Sequence, residues 1–474
     1  MKVVLVRPPK IQGALERSMV QHPINLLSLA ATLLEHGQGF EVEIWDFEVE
    51  PFSEKILRER VRRSAPSVLG ITSMTCNIKV SNQIAGWVKS ERPQTMVLIG
   101  GPHSSAIPER TLQEFPNFDV AVAGEGEQTL LELCQRVAAR QDIAGVQGLV
   151  RRRGTEIIRE NPRPPIENLD WLPLPARQLM KHSLYRGAST PGLDATLYRS
   201  TEIFTSRGCP QNCIFCGSRA VFGRKVRFRS AEHIFREVDE CVSKWGYQHI
   251  TIDDDTFTYN PDRLEAICRG FKARKIRWDC DTRVNAVTRP MLRMMAESGC
   301  NKVAFGVESG SQRVLDLANK GITIEQARNA FKWAHECGMI TTAFFMIGAH
   351  PSETREELEL SFKLMCEIDT ELMALAIAVP YPGTELYRLL KAGGRIFEER
   401  WEKYTHLHSI PSWRTDHFTP RQMAKLQNRL FRRFFLRGKF IRKTLRNALS
   451  WHGLRYYSRS LWQIIRYLFI EGRN

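Results

Sequence analysis

No uninterrupted apolar stretch in the 474-residue chain approaches 18 residues, so nothing is long enough to cross a bilayer as a helix. The first residues, Met1-Lys-Val-Val-Leu-Val-Arg7-Pro-Pro, hold too short an apolar run for a signal peptide and read as an opening strand. With no secretion signal, the 11 cysteines point to a reducing, cytoplasmic setting, where thiols serve metals or cores rather than disulfides. Eight of them (Cys76, Cys134, Cys241, Cys268, Cys280, Cys300, Cys337 and Cys366) lack metal-like spacing, which argues against a second metal centre. Hydrophobic content of 43% and charged content of 25% are ordinary for a soluble globular protein. The length allows two or three domains, each with its own core.

The other three cysteines are grouped. Cys209, Cys213 and Cys216 lie in Arg207-Gly-Cys-Pro-Gln-Asn-Cys-Ile-Phe-Cys-Gly217, a C-x₃-C-x₂-C spacing. A structural zinc site would need a fourth Cys or His, and an electron-transfer cluster a fourth Cys; this loop has neither. Three thiolates can hold three irons of a [4Fe–4S] cluster and leave the fourth iron open to a small molecule. Three ordinary buried cysteines are the bland alternative. Against it, the run follows a strand-like Ile203-Phe204-Thr205, is flanked by Gly208 and Gly217, and has Phe215 before the third Cys. On these residues the chain resembles the radical S-adenosylmethionine (SAM) superfamily. The resemblance implies that the open iron chelates the amino and carboxylate groups of SAM, and that one electron cleaves it to a 5′-deoxyadenosyl radical.

Short β-rich runs alternate with helical stretches through residues 1–145. Strands are expected at Val3–Val6, Phe40–Trp45, Val68–Ile71, Met96–Ile99 and Val120–Ala123, with helices such as Asn25–Glu35, Lys79–Ser90 and Thr129–Arg140 between them. That alternation predicts an α/β fold, a Rossmann-like doubly wound parallel sheet that binds ligands at its strand ends. Residues 146–200, rich in Pro and Arg, read as an extended inter-domain linker. From 201 to 390 the alternation resumes with strands at Glu202–Thr205, His249–Asp253, Arg277–Thr282, Lys302–Val307, Ile340–Ile347 and Leu372–Val379. Six such units predict a partial (β/α)₆ barrel, with chemistry at the C-terminal strand ends. Residues 391–474 read as a helical, basic extension.

The turns at the ends of the first strands are Ser73-Met-Thr75, Gly100-Gly-Pro-His103 and Gly124-Glu125-Gly-Glu127. In this order and spacing they resemble the cobalamin-binding domain that precedes many radical SAM domains. A generic nucleotide-like α/β domain is the alternative, since Gly-rich turns alone are weak signals. The motif D-x-H-x-x-G, whose His ligates cobalt from below, is absent; the matching region reads Trp45-Asp-Phe-Glu-Val-Glu-Pro51. Any cobalamin here is therefore expected to lack a His from that motif.

Further motifs match the radical SAM pattern. In Asp253-Asp-Asp-Thr-Phe257 the resemblance gives Asp254 and Asp255 hydrogen bonds from the SAM ammonium, although Asp also favours helix N-caps. Arg283 would orient the ligand or pair with one of those Asp residues. In Phe305-Gly-Val-Glu-Ser-Gly310, Gly306 and Ser309 flank Glu308, which would accept from the ribose hydroxyls. Lys320 would meet the SAM carboxylate, and the alternative for it is a cation at a helix C-terminus. Gly348 lies in Met346-Ile-Gly-Ala-His-Pro-Ser-Glu-Thr354, similar to the family's adenine-side motif, one residue longer than its common form.

Charge is uneven. Residues 421–474 hold 14 Lys or Arg against Glu471, or +13 of the net +16. Basic residues interleaved with large apolar ones suit a helical cap on the barrel, an anionic membrane surface or, less well, nucleic acid. The cofactors implied are a [4Fe–4S] cluster, SAM and cobalamin, with an electron donor such as flavodoxin or ferredoxin. The implied reaction is methylation of an unactivated carbon in a small or lipid-like substrate. A radical rearrangement, cyclisation or oxidation without methyl transfer would use the same parts. A methylthiotransferase would need three N-terminal cysteines for a second cluster, and residues 1–145 offer only Cys76 and Cys134. A non-catalytic cobalamin sensor is disfavoured by the intact cysteine triplet.

Overall fold

The computed structural model describes residues 1–10, 20–185, 198–405 and 410–442. Its first sheet contains β1 (Lys2–Arg7), β2 (Glu41–Asp46), β3 (Val68–Thr72), β4 (Met96–Gly100), β5 (Val120–Val122), β6 (Leu149–Arg153) and β7 (Glu156–Arg159), in the order 2-1-3-4-5-6-7. The first five are parallel. Val3, Val4, Leu5 and Val6 are at most 1% exposed, because a doubly wound sheet is covered on both faces and its strands need apolar residues at every position. Leu26, Ala30 and Leu33 of helix Ile24–His36 and Leu130 and Leu133 of helix Glu127–Ala138 cover one face. Leu57, Val61, Ile84 and Val88, from helices Glu54–Ser64 and Ile78–Glu91, cover the other.

One expectation is corrected here. The segment read as a linker from residue 146 begins with the antiparallel hairpin β6–β7, which extends the first sheet beyond β5. Leu149 and Val150 are buried against the sheet, while Arg151 to Arg153 run along its outer strands. Charge on the edge blunts further strand pairing, and that same charge made the segment look like a linker. Beyond it, Ile166, Leu169 and Leu172 are buried in an irregular segment.

The second sheet is wholly parallel: β8 (Ser200–Ile203), β11 (His249–Ile252), β12 (Arg277–Arg283), β13 (Cys300–Glu308), β14 (Ile340–Ile347) and β15 (Leu372–Ile377), in the order 15-14-13-12-11-8. It is the expected six-stranded half-barrel. A two-residue ladder, β9 (Ser206–Arg207) with β10 (Arg227–Phe228), closes the base of the cysteine loop. Helix Pro420–Phe435 starts with a full capping box at Thr419 and Gln422. It buries Met423, Leu430 and Phe434, and its Gln427 side chain donates to the Leu375 carbonyl at 2.7 Å. The described part of the extension thus caps the last barrel strand. Residues 443–474, which carry much of the basic tail, lie outside the described residues.

Upstream of that helix, residues 399–402 reach back to the first domain. Arg110 pairs with Glu399, Lys79 with Glu402 at 2.8 Å, and Trp401 Nε1 donates to Glu114 at 2.7 Å. Trp401 is 2% exposed, so this clasp has an apolar centre as well as ion pairs.

Candidate active site

The cysteine loop leaves β9 at Gly208, whose φ is +92° and where an added Cβ would lie 2.3 Å from the Lys225 carbonyl oxygen. Only glycine fits this turn. Ile214, 4% exposed, anchors the middle of the loop: its N–H donates to Ala318 O at 3.0 Å, and its carbonyl accepts from Leu386 N at 2.8 Å. This leaves Cys209, Cys213 and Cys216 as free, half-buried thiols. Among the described residues no three side chains converge as ligands of one metal ion. A cluster does not ask for that, because each thiolate takes a different iron. Burial pushes the metal-free Cys216 thiol up to about 11, and a bound metal would reverse this by stabilising the thiolate.

Asp254 organises the strand-to-loop turn. Its carboxylate accepts from Thr205 N (2.6 Å), Ser206 N (3.0 Å), Thr205 Oγ1 (2.5 Å) and Ser206 Oγ (2.6 Å). With both oxygens engaged, Asp254 has little acceptor capacity left for a ligand and serves to position the loop. Asp255 lies apart and exposed, accepting from Ser218 Oγ at 2.7 Å. Arg283, at the end of β12, bridges two parts of the site. One amino group lies 3.8 Å from Cys213 Sγ and the other donates to the Lys320 carbonyl.

Glu308 and Lys320 form an ion pair of 2.7 Å whose side chains are 7% and 6% exposed. Glu308 Oε2 is buried without a hydrogen-bond partner, an orphaned acceptor of the kind native proteins rarely leave. The pair packs directly on the Gly306 backbone: a Cβ there would lie 2.7 Å from Glu308 Oε1 and 2.8 Å from Lys320 Nζ, so glycine is what leaves room for both charged groups. Orphaned carboxylate, ammonium and bare glycine backbone together fit a zwitterionic ligand with hydroxyls. Ser309 and Gly348 are spent on local turns, through Ser311 N to Ser309 Oγ (3.2 Å) and Gly348 N to Glu353 Oε2 (2.6 Å).

The two domains meet through charges that the sequence reading missed. Arg207, two residues before Cys209, donates to Glu127 at 2.5 Å, and Arg227 pairs with Glu125 at 2.7 Å. Arg207 and Glu127 are both nearly buried, and the Arg207 guanidinium holds the Glu127 carboxyl below the usual range despite burial. The available signal was an Arg beside the cysteines and two Glu residues in a Gly-rich turn. Around these pairs lies a cavity with about 1430 Å³ of empty space, counting its open mouth. Gly100, Gly101, Gly124 and Glu125 line it from the first sheet, and Phe204, Ser206 and Arg207 from the barrel.

Three expected ligand residues do not reach that cavity. Ser73 and Thr75 are buried in their own turn, with Ser73 N donating to Gly100 O at 2.9 Å. His103 points toward the clasp, its Nδ1 3.3 Å from Thr75 Oγ1 and its ring edge-on to Trp401 at 5.4 Å. Burial, with Arg110 nearby, lowers its pKa to about 3, so it stays neutral. His233 is the histidine on the cavity wall, and its Nδ1 already accepts from Arg229 Nε at 2.9 Å.

A half-barrel with a three-cysteine loop, facing the glycine-rich strand ends of a doubly wound sheet, fits a radical enzyme that carries a second cofactor-binding domain. Comparison with known proteins agrees: residues 203–365 match the radical SAM superfamily model and residues 14–134 the B12 binding domain model. The chain belongs to the radical SAM superfamily, in the group that carries a B12-binding domain, and its cofactors are the [4Fe–4S] cluster, SAM and cobalamin. It is 33% identical over 449 residues to an uncharacterized methyltransferase from Pyrococcus horikoshii, covering 94% of this chain and 95% of that one. It is 26% identical over 424 residues to an anaerobic magnesium-protoporphyrin IX monomethyl ester cyclase from Cereibacter sphaeroides, covering 86% and 66%. Among solved structures, the cobalamin-dependent SAM radical enzyme OxsB, with aqua-cobalamin and SAM bound, shares the fold. Its TM-score is 0.74 at 16% identity, over 99% of this chain and 72% of that one.

Proposed function

We propose that the protein methylates an unactivated carbon of a small molecule. The observation that carries this reading is the shared cavity, where the strand ends of the B12-binding domain face the turn two residues from Cys209. When bound, the cluster supplies the electron that cleaves SAM and the corrin supplies the methyl group. The chain's own residues do the positioning. Cys209, Cys213 and Cys216 hold the cluster on a loop fixed by Asp254 and Ile214. Glu308 accepts from the SAM ribose and Lys320 meets its carboxylate, while Arg283 ties Lys320 to the cysteine loop. Gly100, Gly101 and Gly124 give the corrin a flat seat, and Arg207–Glu127 keeps that seat in register with the cluster. The C-terminal helix and clasp exclude water from the barrel flank.

The cyclase similarity supports a second reading, in which the same radical closes a ring without methyl transfer. Anaerobically reconstituted protein given SAM and a reductant separates the two. With a candidate substrate present, a product heavier by one methyl group, together with S-adenosylhomocysteine beyond one equivalent per cobalamin, supports methyl transfer, whereas a product with no added carbon supports cyclisation. A one-electron donor such as flavodoxin would supply the reductant in the cell. The basic, aromatic composition of residues 421–474 supports contact with an anionic membrane surface, and no described helix is long and apolar enough to cross one.

A further inference from the structure

Residues alternate sharply along the barrel strands. Those facing the outer helices, including Ile250, Ile252, Trp278, Cys280 and Phe345, are at most 1% exposed. On the opposite face Asp253, Asp281, Phe344, Met346, Ala374 and Ala376 all retain exposure. Strands buried on both sides would show no such split, so the inner face is hollow. At its floor Lys302 pairs with Asp279 at 2.9 Å. Just above, the β11–β12 ladder runs in register to Ile252 and Cys280, which puts the next residues, Asp253 and Asp281, on neighbouring strands. Among the described residues neither carboxylate has an ion-pair partner.

A second observation points to a ligand. The hydroxyls of Thr251 and Thr342, residues only 6% and 4% exposed, have no hydrogen-bond partner. Thr251 is two residues from Asp253 and Thr342 two from Phe344, so strand alternation turns both into the same hollow. Buried hydroxyls left without partners are costly unless something fills the space. The hollow thus has an acidic wall, polar groups at its base and an apolar wall of Phe344 and Met346. Its mouth lies close to the cluster loop: Arg283, one strand repeat or about 7 Å beyond Asp281, is the residue whose guanidinium approaches Cys213.

We propose that this hollow binds the substrate by a protonated nitrogen held between Asp253 and Asp281, with Thr251 and Thr342 bonding its polar end and Phe344 and Met346 covering its apolar part. The inference rests on the radical SAM reading for the identity of the pocket and adds a substrate class, an amphipathic amine. Burial, together with Asp281 and the other nearby carboxylates, pushes Asp253 up to about 7. Burial raises Asp281 to about 7 as well, with Lys302 opposing and Asp279 adding. Two carboxyls that repel each other in the empty protein are relieved by a cation between them. Two carboxylates alone fall short of a metal site, which favours an organic cation.

Ligand-observed NMR on the reconstituted full chain tests this, with phenethylammonium and butylammonium as probes and 2-phenylethanol and butanol as neutral controls. The amines are expected to bind at least tenfold tighter than their alcohols, and Asp253→Asn/Asp281→Asn is expected to erase that preference. Equal binding of amines and alcohols, or a preference that survives in the double variant, overturns the proposal. Iron content and SAM affinity of the same samples are read separately. A chain that binds amines without holding a cluster or SAM would overturn the radical reading and leave the amine site standing.

Discussion

Replacing Glu308 tests the SAM site most directly, because its two oxygens have different tasks. Oε1 is bonded to Lys320 at 2.7 Å, while Oε2 is buried and unpaired. Glu308→Gln keeps the shape but removes the charge and one acceptor. Loss of a hydrogen bond to a charged group costs about 1.5–3 kcal/mol, so SAM affinity is expected to fall roughly 10- to 100-fold. The same substitution leaves the buried Lys320 ammonium without a carboxylate, and breaking one side of a buried pair costs about 3–5 kcal/mol of stability. A double variant, Glu308→Gln/Lys320→Met, removes both charges and is expected to recover most of that stability without recovering SAM binding. Anaerobic calorimetric titration with SAM, on samples of matched iron content, reports affinity; urea denaturation of the same samples reports stability. Wild-type SAM affinity in the double variant would show that the pair is only structural and refute the reasoning. Backbone strain offers a further check, since Glu308 sits at φ +72°, where a non-glycine residue costs roughly 1–2 kcal/mol. Glu308→Gly relaxes that strain and should still lose SAM affinity.

Asp254→Ala removes four hydrogen bonds from the turn ahead of Cys209 and is expected to lower iron incorporation more than Asp255→Ala, as read by iron and sulfide analysis. Because the carboxyls of Asp253 and Asp281 are raised in the folded state, that state binds more protons than the unfolded chain between about pH 4 and pH 7, so stability falls as pH rises across this window. Asp281→Asn should therefore raise the melting temperature at pH 8 and leave it nearly unchanged at pH 4; an equal shift at both would refute the assignment. Bound cobalamin is expected to show no protein nitrogen on cobalt by paramagnetic resonance, with His233→Ala leaving the spectrum unchanged. If the basic tail meets membranes, full-length protein will sediment with anionic vesicles at low salt and be released at high salt, whereas a chain ending at Phe435 will stay in the supernatant.

The first sheet was legible because its strands are buried on two faces, which forces continuous apolar runs; the barrel was legible because short β-rich strands, several of them alternating, recur between long amphipathic helices. The expected barrel strand Ile340–Ile347 matches the observed one residue for residue, and the others differ by a few residues at their ends. The cysteine loop was legible because its spacing is local. Harder to read was anything set by distant pairing. Arg207 and Glu127 are 80 positions apart, and nothing near either one announces the other. His103 illustrates a different limit: its place in a Gly-rich turn suggested a ligand, but Trp401, from the far end of the chain, packs against its ring. Asp254 was read as a SAM acceptor because motif position does not show where a carboxylate's hydrogen bonds are already spent.

The clasp between residues 79–114 and 399–402 also has a meaning in time. Its bonds join positions as much as 323 apart, from Lys79 to Glu402, so the clasp is not complete until the ribosome has made the chain through residue 402. The first sheet, complete at Arg159, has its strands in hand far earlier, and the last strand of the half-barrel ends at Ile377, shortly before the clasp residues. The seam between them therefore stays unfastened on this side through most of synthesis, and any product truncated before Glu399 lacks the fastening altogether. Order of manufacture, and not only the finished contacts, separates the stage at which large cofactors have the widest access from the stage at which the enclosure closes.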